Sequence, residues 1–560
     1  MLSFAKALPA AAVLAVWATA FARATPIQHV IIIMQENRSF DQYFGTYPGA
    51  DGFPADTCVP LDPAKPQLGC VKPFHDVHDI NAGGPHAAID AIDDLANGVT
   101  EARMDGFVWQ QTEGAGGRCR DNPRCSGDLA GVLRHDVMGY HDASELPNYW
   151  AYAQHFVLQD HLFEGERSWS VPSHLDLISE WTAICANQLD PSTCATAMTA
   201  AKPGPHVTYP WESLFQFLDL HDVSWKYYLG EGTEPDCEDD EMTCAPQNQT
   251  TLVPSIWNPA PSFAYVRSRG GAYLAAHNPP IERLLYDVTA GTLPQLSWVV
   301  PEQHFSEHPP AGITAGMEYV TSIVNAVMQS PYWQNTAIFI AWDDWGGFYD
   351  HVVPPNVDRT PDGQYVAGFG LRVPGLLVSA WARPGYIDDS VLSLDSFATF
   401  IEENFADSAR LDPAAVGNVE HRPDIRDSIT KVTWYNGATA NVGNLIDEFD
   451  FSQTPLPPLV LSTHIPTGIE AACRTTAGDT TQPCTKPQVT VSWLPVAGPR
   501  VHGPFTYHVL RNGMEVRQCT GVSTSCIDTP GAGVHYYRAY SVDSGDVTSP
   551  ASAAAEADEP

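Results

Sequence analysis

His29–Met34 reads HVIIIM and runs directly into Gln35–Asp41, QENRSFD. A second apolar run, Ala337–Trp342 (AIFIAW), is followed at once by Asp343–His351, DDWGGFYDH. Short continuous apolar runs of this kind are typical of strands that are buried on both faces. The two stretches therefore predict two buried strands, each of which ends in side chains that carry oxygen atoms.

The sequence around these runs alternates strand patterns with helix patterns. Further strands are predicted at Leu296–Val300 and Leu376–Val378, and helices at Met317–Met328 and Leu394–Phe405. Ser393 or Asp395 is placed to cap the second helix. Such alternation predicts an α/β domain over residues 26–451, with a mainly parallel sheet in an α/β/α sandwich.

In a sheet of this kind, functional side chains gather where parallel strands end. Glu36 and Asn37 follow the first strand, and Asp343 and Asp344 follow the second. Adjacent carboxylates repel each other unless a cation lies among them. We therefore expect a site for one divalent metal ion formed by these four oxygen donors. The alternative, that they are loop carboxylates and helix caps, stays open at this point.

The N-terminal residues 1–24 have the pattern of a signal peptide. Lys6 gives a positive start, Ala10–Ala20 a short apolar run, and Ala22–Ala24 an A-x-A cleavage signature. The apolar run is too short to span a bilayer, and no stable membrane anchor is expected. The twelve cysteines fall into six close sequential pairs, as in a disulfide-bonded exported protein. The sequence thus predicts a secreted or periplasmic protein.

The C-terminal part has a different character. Residues 452–468 are rich in Pro, Ser and Thr and predict a linker. Residues 469–560 alternate apolar and polar positions, with Asn512-Gly513 as a hairpin turn, and predict a small β-sandwich with a disordered tail. Strands such as Val489–Trp493 and Val534–Asp543 resemble those of a fibronectin type III module.

The net charge is −37, from 66 Asp and Glu against 29 Lys and Arg. Nucleic-acid binding requires clustered basic residues, so this charge argues against a nucleic-acid partner. It also argues against adsorption to anionic lipid by charge alone.

Several ordered blocks resemble the bacterial phosphoesterase family that contains phospholipases C and acid phosphatases. The resemblance covers most of residues 26–405, and its blocks are His29–Gly45, Met104–Val108, Val137–Trp150, Ser168–Trp181, Ser306–Pro310, Trp342–Pro355 and Leu371–Gly385. It implies an alkaline-phosphatase-like fold and a metal-assisted displacement at phosphorus by a Ser or Thr hydroxyl.

Aligning Leu175–Ser179 with the family places Ser170 at the nucleophile position, before a helix expected to begin near Pro172. Ser173 is the rival, although its hydroxyl could instead cap the helix. His174 occupies a position where the family has Arg, which leaves its expected phosphate contact open. Sulfatases share the superfamily fold, but their C/S-x-P-S-R signature lacks its Arg here.

Four further histidines are candidates by the resemblance or by their position. His308, in the SEHPP block, is expected to contact phosphate or to protonate the leaving oxygen. His86, His304 and His351 are expected, with His174, to bind substrate. His351 follows the predicted metal segment and could orient Asp344 or Asp350.

These features together predict an exported, metal-dependent phosphoric ester hydrolase with a Ser nucleophile, of the acid phosphatase or phosphodiesterase type. The alternative is a phospholipase C that acts on phosphatidylcholine-like lipids. A non-catalytic binding protein of the same fold is a third hypothesis, which the intact set of chemical residues opposes. The sequence leaves the identity of the metal ion open.

Overall fold

The computed structural model describes most of the chain. The described residues are 25–76, 81–95, 103–113, 135–235, 245–355, 368–411, 431–434, 437–461, 463–464, 466–473, 488–496, 504–544, 548–549, 551 and 555–559. The predicted signal peptide lies outside them. Within the described residues, no helix is both long and apolar enough to cross a membrane.

A seven-stranded sheet forms the centre of the α/β part. Its strands in chain order are β1 (His29–Gln35), β2 (Val157–Gln159), β3 (Trp225–Leu229), β4 (Leu296–Val300), β5 (Thr336–Trp342), β6 (Gly375–Ser379) and β7 (Tyr386–Asp388). All the strands predicted above are present, with bounds that differ by at most one residue at either end.

The order of strands in space is β3-β4-β1-β5-β6-β2-β7. Only β6 runs antiparallel to its neighbours, β5 and β2, whereas the other pairs are parallel. Every residue of β4 and β5 is buried, so both faces of the sheet are covered. The prediction of an α/β fold with a mainly parallel sheet is therefore confirmed.

The helices that surround the sheet are mostly short. They are α1 (Phe40–Phe44), α2 (Ala88–Asp94), α3 (Phe107–Glu113), α4 (Pro147–His155), α5 (Ser170–Ser179), α6 (Leu214–Leu220), α7 (Ala264–Arg269), α8 (Gly271–His277), α9 (Glu282–Ala290), α10 (Ile313–Met328) and α11 (Asp395–Phe405). The expected cap of α11 was wrong, because its N-cap is Leu394, without a side-chain cap.

The C-terminal region is rich in β-structure. Its strands are β8 (Thr467–Cys473), β9 (Val489–Leu494), β10 (Thr506–Arg511), β11 (Met514–Glu515), β12 (Ser525–Asp528), β13 (Gly533–Val542) and β14 (Ala555–Glu559). They form two sheets, β8-β9-β12 and β11-β10-β13-β14. Arg511 pairs with Met514 across the predicted Asn512-Gly513 turn, so the hairpin is confirmed.

Three of the six predicted disulfides lie among the described residues, and all three are present: Cys58–Cys70, Cys185–Cys194 and Cys519–Cys526. The other three pairs, Cys119/Cys125, Cys237/Cys244 and Cys473/Cys484, involve side chains outside the described residues.

The first part of the predicted linker packs closely on the α/β domain. The Asn325 side chain donates to the carbonyl of Leu461 (2.7 Å) and accepts from its amide (3.0 Å). The Trp333 indole donates to the carbonyl of Leu456 at 2.9 Å. Residues up to 461 therefore complete the surface of the domain.

We propose that the β-rich region is dispensable for chemistry, and the packing places the cut at Leu461. A chain that ends there is expected to keep turnover of a small soluble phosphate ester. A chain that ends at Phe451 should unfold at a lower temperature, because it exposes the apolar surface under Leu456 and Leu459. Thermal unfolding and turnover of both chains check this. Loss of turnover in a folded chain ending at Leu461 would contradict it.

Candidate active site

The ends of β1 and β5 lie side by side. Gln35 and Trp342 are paired in parallel register, so the residues that follow them emerge at the same edge. The amide of Asp343 donates to the carbonyl of Gln35 (2.9 Å), and the amide of Asn37 donates to Asp343 Oδ1 (2.9 Å). The structure thus brings the two predicted pairs, Glu36-Asn37 and Asp343-Asp344, together in a fully buried position.

The first turn of α5 places Ser170 against this cluster. Its hydroxyl donates to Glu36 Oε2 at 3.0 Å and lies 3.4 Å from Asp344 Oδ2. The helix begins at Ser170 itself, two residues before the expected start at Pro172, and its N-cap is Trp169. Ser170 is therefore the first residue of the helix, at the end where main-chain amides favour an incoming anion.

The rival hydroxyl, Ser173, has a different partner. It donates to the main-chain carbonyl of Asp343 at 2.5 Å, rather than capping the helix as expected. This bond ties α5 to the loop after β5. The geometry thus gives Ser173 a structural contact, whereas the hydroxyl of Ser170 contacts the carboxylates.

His174 lies one turn further along α5, in contact with Glu36. Its Nε2 atom is 3.0 Å from Glu36 Oε1, and both side chains are buried. His174, Glu36 and Asp343 each offer one ligand atom, and these atoms lie within 4.8 Å of one another. The imidazole thus lies among the acidic residues, and its predicted contact with substrate remains a prediction.

The cluster has the composition of a metal site. Among the described residues, Asp343 Oδ2 and both side-chain polar atoms of Asn37 are buried without a hydrogen-bond partner. A buried oxygen without a partner is costly, and a cation would satisfy Asp343 Oδ2 and Asn37 Oδ1. Burial, and next the negative charge of Asp344, hold the pKa of the neighbouring Glu164 well above its usual range. The residues present therefore fit the metal ion that the sequence predicts.

Two of the predicted histidines, His86 and His308, lie close to each other. Their ring centroids are 5.8 Å apart, and both side chains are buried. Nδ1 of His86 lies 3.0 Å from the carbonyl of Gly84, and Nδ1 of His308 lies 2.7 Å from that of Pro309. With Nδ1–H donated to a carbonyl, each neutral ring carries its lone pair on Nε2.

The glycine pair after β5 permits a close backbone approach. Gly346 and Gly347 have φ angles of 60° and 73°. A Cβ on Gly347 would lie 2.4 Å from the Cα of Gly84, and a Cβ on Gly346 would lie 2.6 Å from the carbonyl of Asn37. The amide of Gly84 donates to the carbonyl of Gly346 at 2.9 Å. Glycine is therefore required at both positions, where the loop after β5 packs directly against the main chain of Asn37 and of Gly84.

Glu307 is a residue of this region that the sequence did not single out. Its buried carboxylate accepts hydrogen bonds from Tyr43 and Tyr149, each at 2.6 Å, and from the indole of Trp342 at 3.1 Å. Burial raises its pKa to about 7, although the tyrosine hydrogen bonds oppose the shift. The aromatic donors come from distant segments, so the sequence did not reveal that they hold Glu307 and the adjacent His308 in place.

The remaining two histidines lie elsewhere. His304 is exposed on a short 3₁₀ helix, Gln303–Phe305. His351 contacts Asp41 rather than Asp344, with Nδ1 2.8 Å from Asp41 Oδ2. Burial lowers the pKa of His351, but the carboxylates of Asp41 and Asp51 outweigh this and raise it to about 9. Their expected roles in substrate binding stay predictions.

Residues 27–406 match the Phosphoesterase family. The chain belongs to this family, so the resemblance found in the sequence is confirmed. The family match ends before the C-terminal β-rich region, whose likeness to fibronectin type III stays a prediction.

The chain is similar to several curated phospholipases C. It is 27% identical to the non-hemolytic phospholipase C of Burkholderia pseudomallei (strain K96243), over 68% of this chain and 55% of that protein. It is 26% identical to phospholipase C A of Mycobacterium tuberculosis (strain CDC 1551 / Oshkosh), over 64% of this chain and 69% of that protein. The chain thus spans about half the length of the Burkholderia relative.

A solved structure of an alkaline phosphatase superfamily protein from Vibrio parahaemolyticus also matches. It is 10% identical and covers 78% of this chain and 84% of its own, with a TM-score of 0.29. A score this low carries no argument, and the fold assignment rests on the sheet described above.

Proposed function

We propose that this protein hydrolyses phosphoric esters with Ser170 as its nucleophile. The observation that carries the proposal is the contact of the Ser170 hydroxyl with Glu36 (3.0 Å) and Asp344 (3.4 Å) at the start of a buried helix. A hydroxyl held at a helix N-terminus, beside carboxylates able to hold a cation, is suited to attack on phosphorus.

The chemistry requires two displacements. The Ser170 oxygen forms a bond to phosphorus as its proton passes to Glu36, and the ester P–O bond breaks. The leaving alkoxide takes a proton from His308, our candidate donor, which acts in its imidazolium form. Water then attacks the phosphoserine and gives one proton to His308, while the proton on Glu36 returns to the Ser170 oxygen. The products are the free serine hydroxyl and inorganic or monoester phosphate.

Glu36, Asn37, Asp343 and Asp344 would hold one divalent cation. When bound, such an ion supplies positive charge that stabilises the serine alkoxide and the charge that develops on the phosphoryl oxygens. The acidic residues around Ser170 would otherwise repel an anionic substrate.

A second candidate activity is that of a phospholipase C, which the curated relatives favour. The indole rings of Trp257 and Trp345 lie beside the histidines, at 5.8 Å from His308 and 6.3 Å from His86. Aromatic rings bind quaternary ammonium groups such as choline. The acyl chains of a lipid would then remain outside this buried site.

We also propose export of the protein. The signal-peptide pattern of residues 1–24 supports it, and so do the disulfides among the described residues.

A panel of four substrates tests the function. It contains p-nitrophenyl phosphate, bis-p-nitrophenyl phosphate, p-nitrophenyl phosphorylcholine and phosphatidylcholine vesicles. We expect turnover of at least one, and mass spectrometry after an acid quench should find phosphate on Ser170. Release of phosphocholine from vesicles would establish the phospholipase C activity. An adduct on another residue, or no turnover with any divalent ion, would refute the proposal.

A further inference from the structure

A short contact joins the side chains of His174 and Glu36. Nε2 of His174 lies 3.0 Å from Glu36 Oε1, and neither side chain is exposed to water. An imidazole lone pair and a carboxylate oxygen cannot approach this closely unless a proton or a cation lies between them. The contacts on the opposite side of the imidazole ring show how Nδ1 is occupied.

On that side, Nδ1 of His174 lies 3.4 Å from the hydroxyl of Tyr227. Tyr227 donates its single proton to the main-chain carbonyl of Trp257, at 2.8 Å. The tyrosine oxygen can therefore only accept a hydrogen bond from the ring, which places a proton on Nδ1. In the neutral imidazole, the lone pair is then on Nε2, directed at the acidic cluster.

The position of this acceptor is itself fixed. Tyr227 lies in β3, and the Trp257 segment is held by Glu234, whose carboxylate accepts from the amides of Ile256 (2.8 Å) and Trp257 (3.1 Å). A metal-bound histidine usually donates its other N–H to such an oxygen, which fixes its tautomer and orientation.

A second observation points to a cation in the same place. Asn37 Oδ1 and Asp343 Oδ2 are fully buried, and among the described residues they have no hydrogen-bond partner. A proton shared by His174 and Glu36 would leave both oxygens unsatisfied, whereas a cation held by this cluster would satisfy them.

We propose that His174 Nε2 is a ligand of the divalent ion, and that Tyr227 is a positioning residue that fixes its tautomer. An imidazole ligand favours first-row transition ions over Mg²⁺ and Ca²⁺, which prefer oxygen. The site is therefore selective for ions such as Mn²⁺ or Zn²⁺. This inference rests on the proposed function only in placing the cation at Glu36 and Asp343.

Pulsed electron paramagnetic resonance of the Mn²⁺-loaded full chain tests the ligand directly. We expect a ¹⁴N coupling typical of a bound imidazole in the wild type and in His155→Gln, which changes an exposed histidine. Equilibrium dialysis of His174→Gln should show Mn²⁺ binding weakened by about 10- to 100-fold, without the coupling. The unfolding midpoint verifies that each variant is folded. Bound Mn²⁺ without ¹⁴N coupling in the wild type would refute the ligand.

Tyr227→Phe separates positioning from ligation. The ¹⁴N coupling of the bound imidazole should persist. The signal of the remote ring nitrogen, Nδ1, should change, and Mn²⁺ affinity should fall by up to about tenfold. A wild-type signature and affinity would refute the role of Tyr227.

In the wild type, competition should show Mn²⁺ bound at least about tenfold more tightly than Mg²⁺ or Ca²⁺, and equal affinities would refute the selectivity. Phosphate on Ser170 is measured independently, so the proposed function can survive these failures.

Discussion

Replacing Ser170 by alanine is expected to lower turnover by about three orders of magnitude or more, because no other hydroxyl can take over covalent attack on phosphorus. The change removes one atom that contacts Glu36 and Asp344, and the fold should be unaffected. Single-turnover kinetics with the best substrate of the panel measures the loss. The same preparations, quenched in acid, should contain no phosphoserine.

Ser173→Ala is the matched control, since Ser173 lies in the same helix and its hydroxyl bonds to the main chain of Asp343. Its hydroxyl donates to the carbonyl of Asp343, so its loss should cost about 1–2 kcal/mol of stability. Turnover should fall by less than about tenfold. If Ser173→Ala abolished turnover while Ser170→Ala retained it, the assignment of the nucleophile would be wrong by one helical turn.

The sequence predicted the elements whose signal is local. Strand β4 was predicted with its exact bounds, and β1 and β5 within one residue, because buried parallel strands are continuous apolar runs. Helix α10 begins at Ile313, four residues before the predicted start. Gly316 obscured its first turn, and a Cβ there would lie 2.2 Å from the side chain of Glu307.

The site was predictable where it follows from strand ends. Glu36, Asn37, Asp343 and Asp344 come together because two neighbouring parallel strands end at the same edge. The contacts of His174 and Glu307 were not predictable, because they depend on how α5 and the loop after β4 pack against that edge. Tyr227 and Trp257 are distant in sequence from both. The Tyr227 hydroxyl lies 3.4 Å from His174 Nδ1 and donates to the carbonyl of Trp257, a connection that depends on the fold.

The antiparallel strand β6 introduces a buried charge that no sequence pattern revealed. Arg372, just before this strand, is fully buried. Its guanidinium binds Asp350 (2.9 Å) and Asp41 (3.2 Å), and it also donates to the carbonyls of Asp51 (2.9 Å) and Asp160 (2.8 Å). One side chain thus connects α1, the metal segment after β5 and the start of β6.

Arg372→Met is expected to destabilise the protein by about 3–5 kcal/mol, because it keeps the aliphatic volume but leaves two buried carboxylates without their cation. Chemical denaturation of the α/β domain measures this. The control is Arg103→Met, which removes an exposed pair with Asp105 and should cost less than about 1 kcal/mol.

The position of the lost charge also predicts its effect on chemistry. Asp350 and Asp41 would repel each other, and the segment between Asp343 and Asp350 is held at that end by Arg372. The folded Arg372→Met protein should therefore bind Mn²⁺ more weakly and turn over more slowly, whereas Arg103→Met should match the wild type in both. If the Arg372→Met protein kept wild-type stability, the prediction would be wrong. His351, which also contacts Asp41, would then be sufficient to neutralise the Asp41 carboxylate.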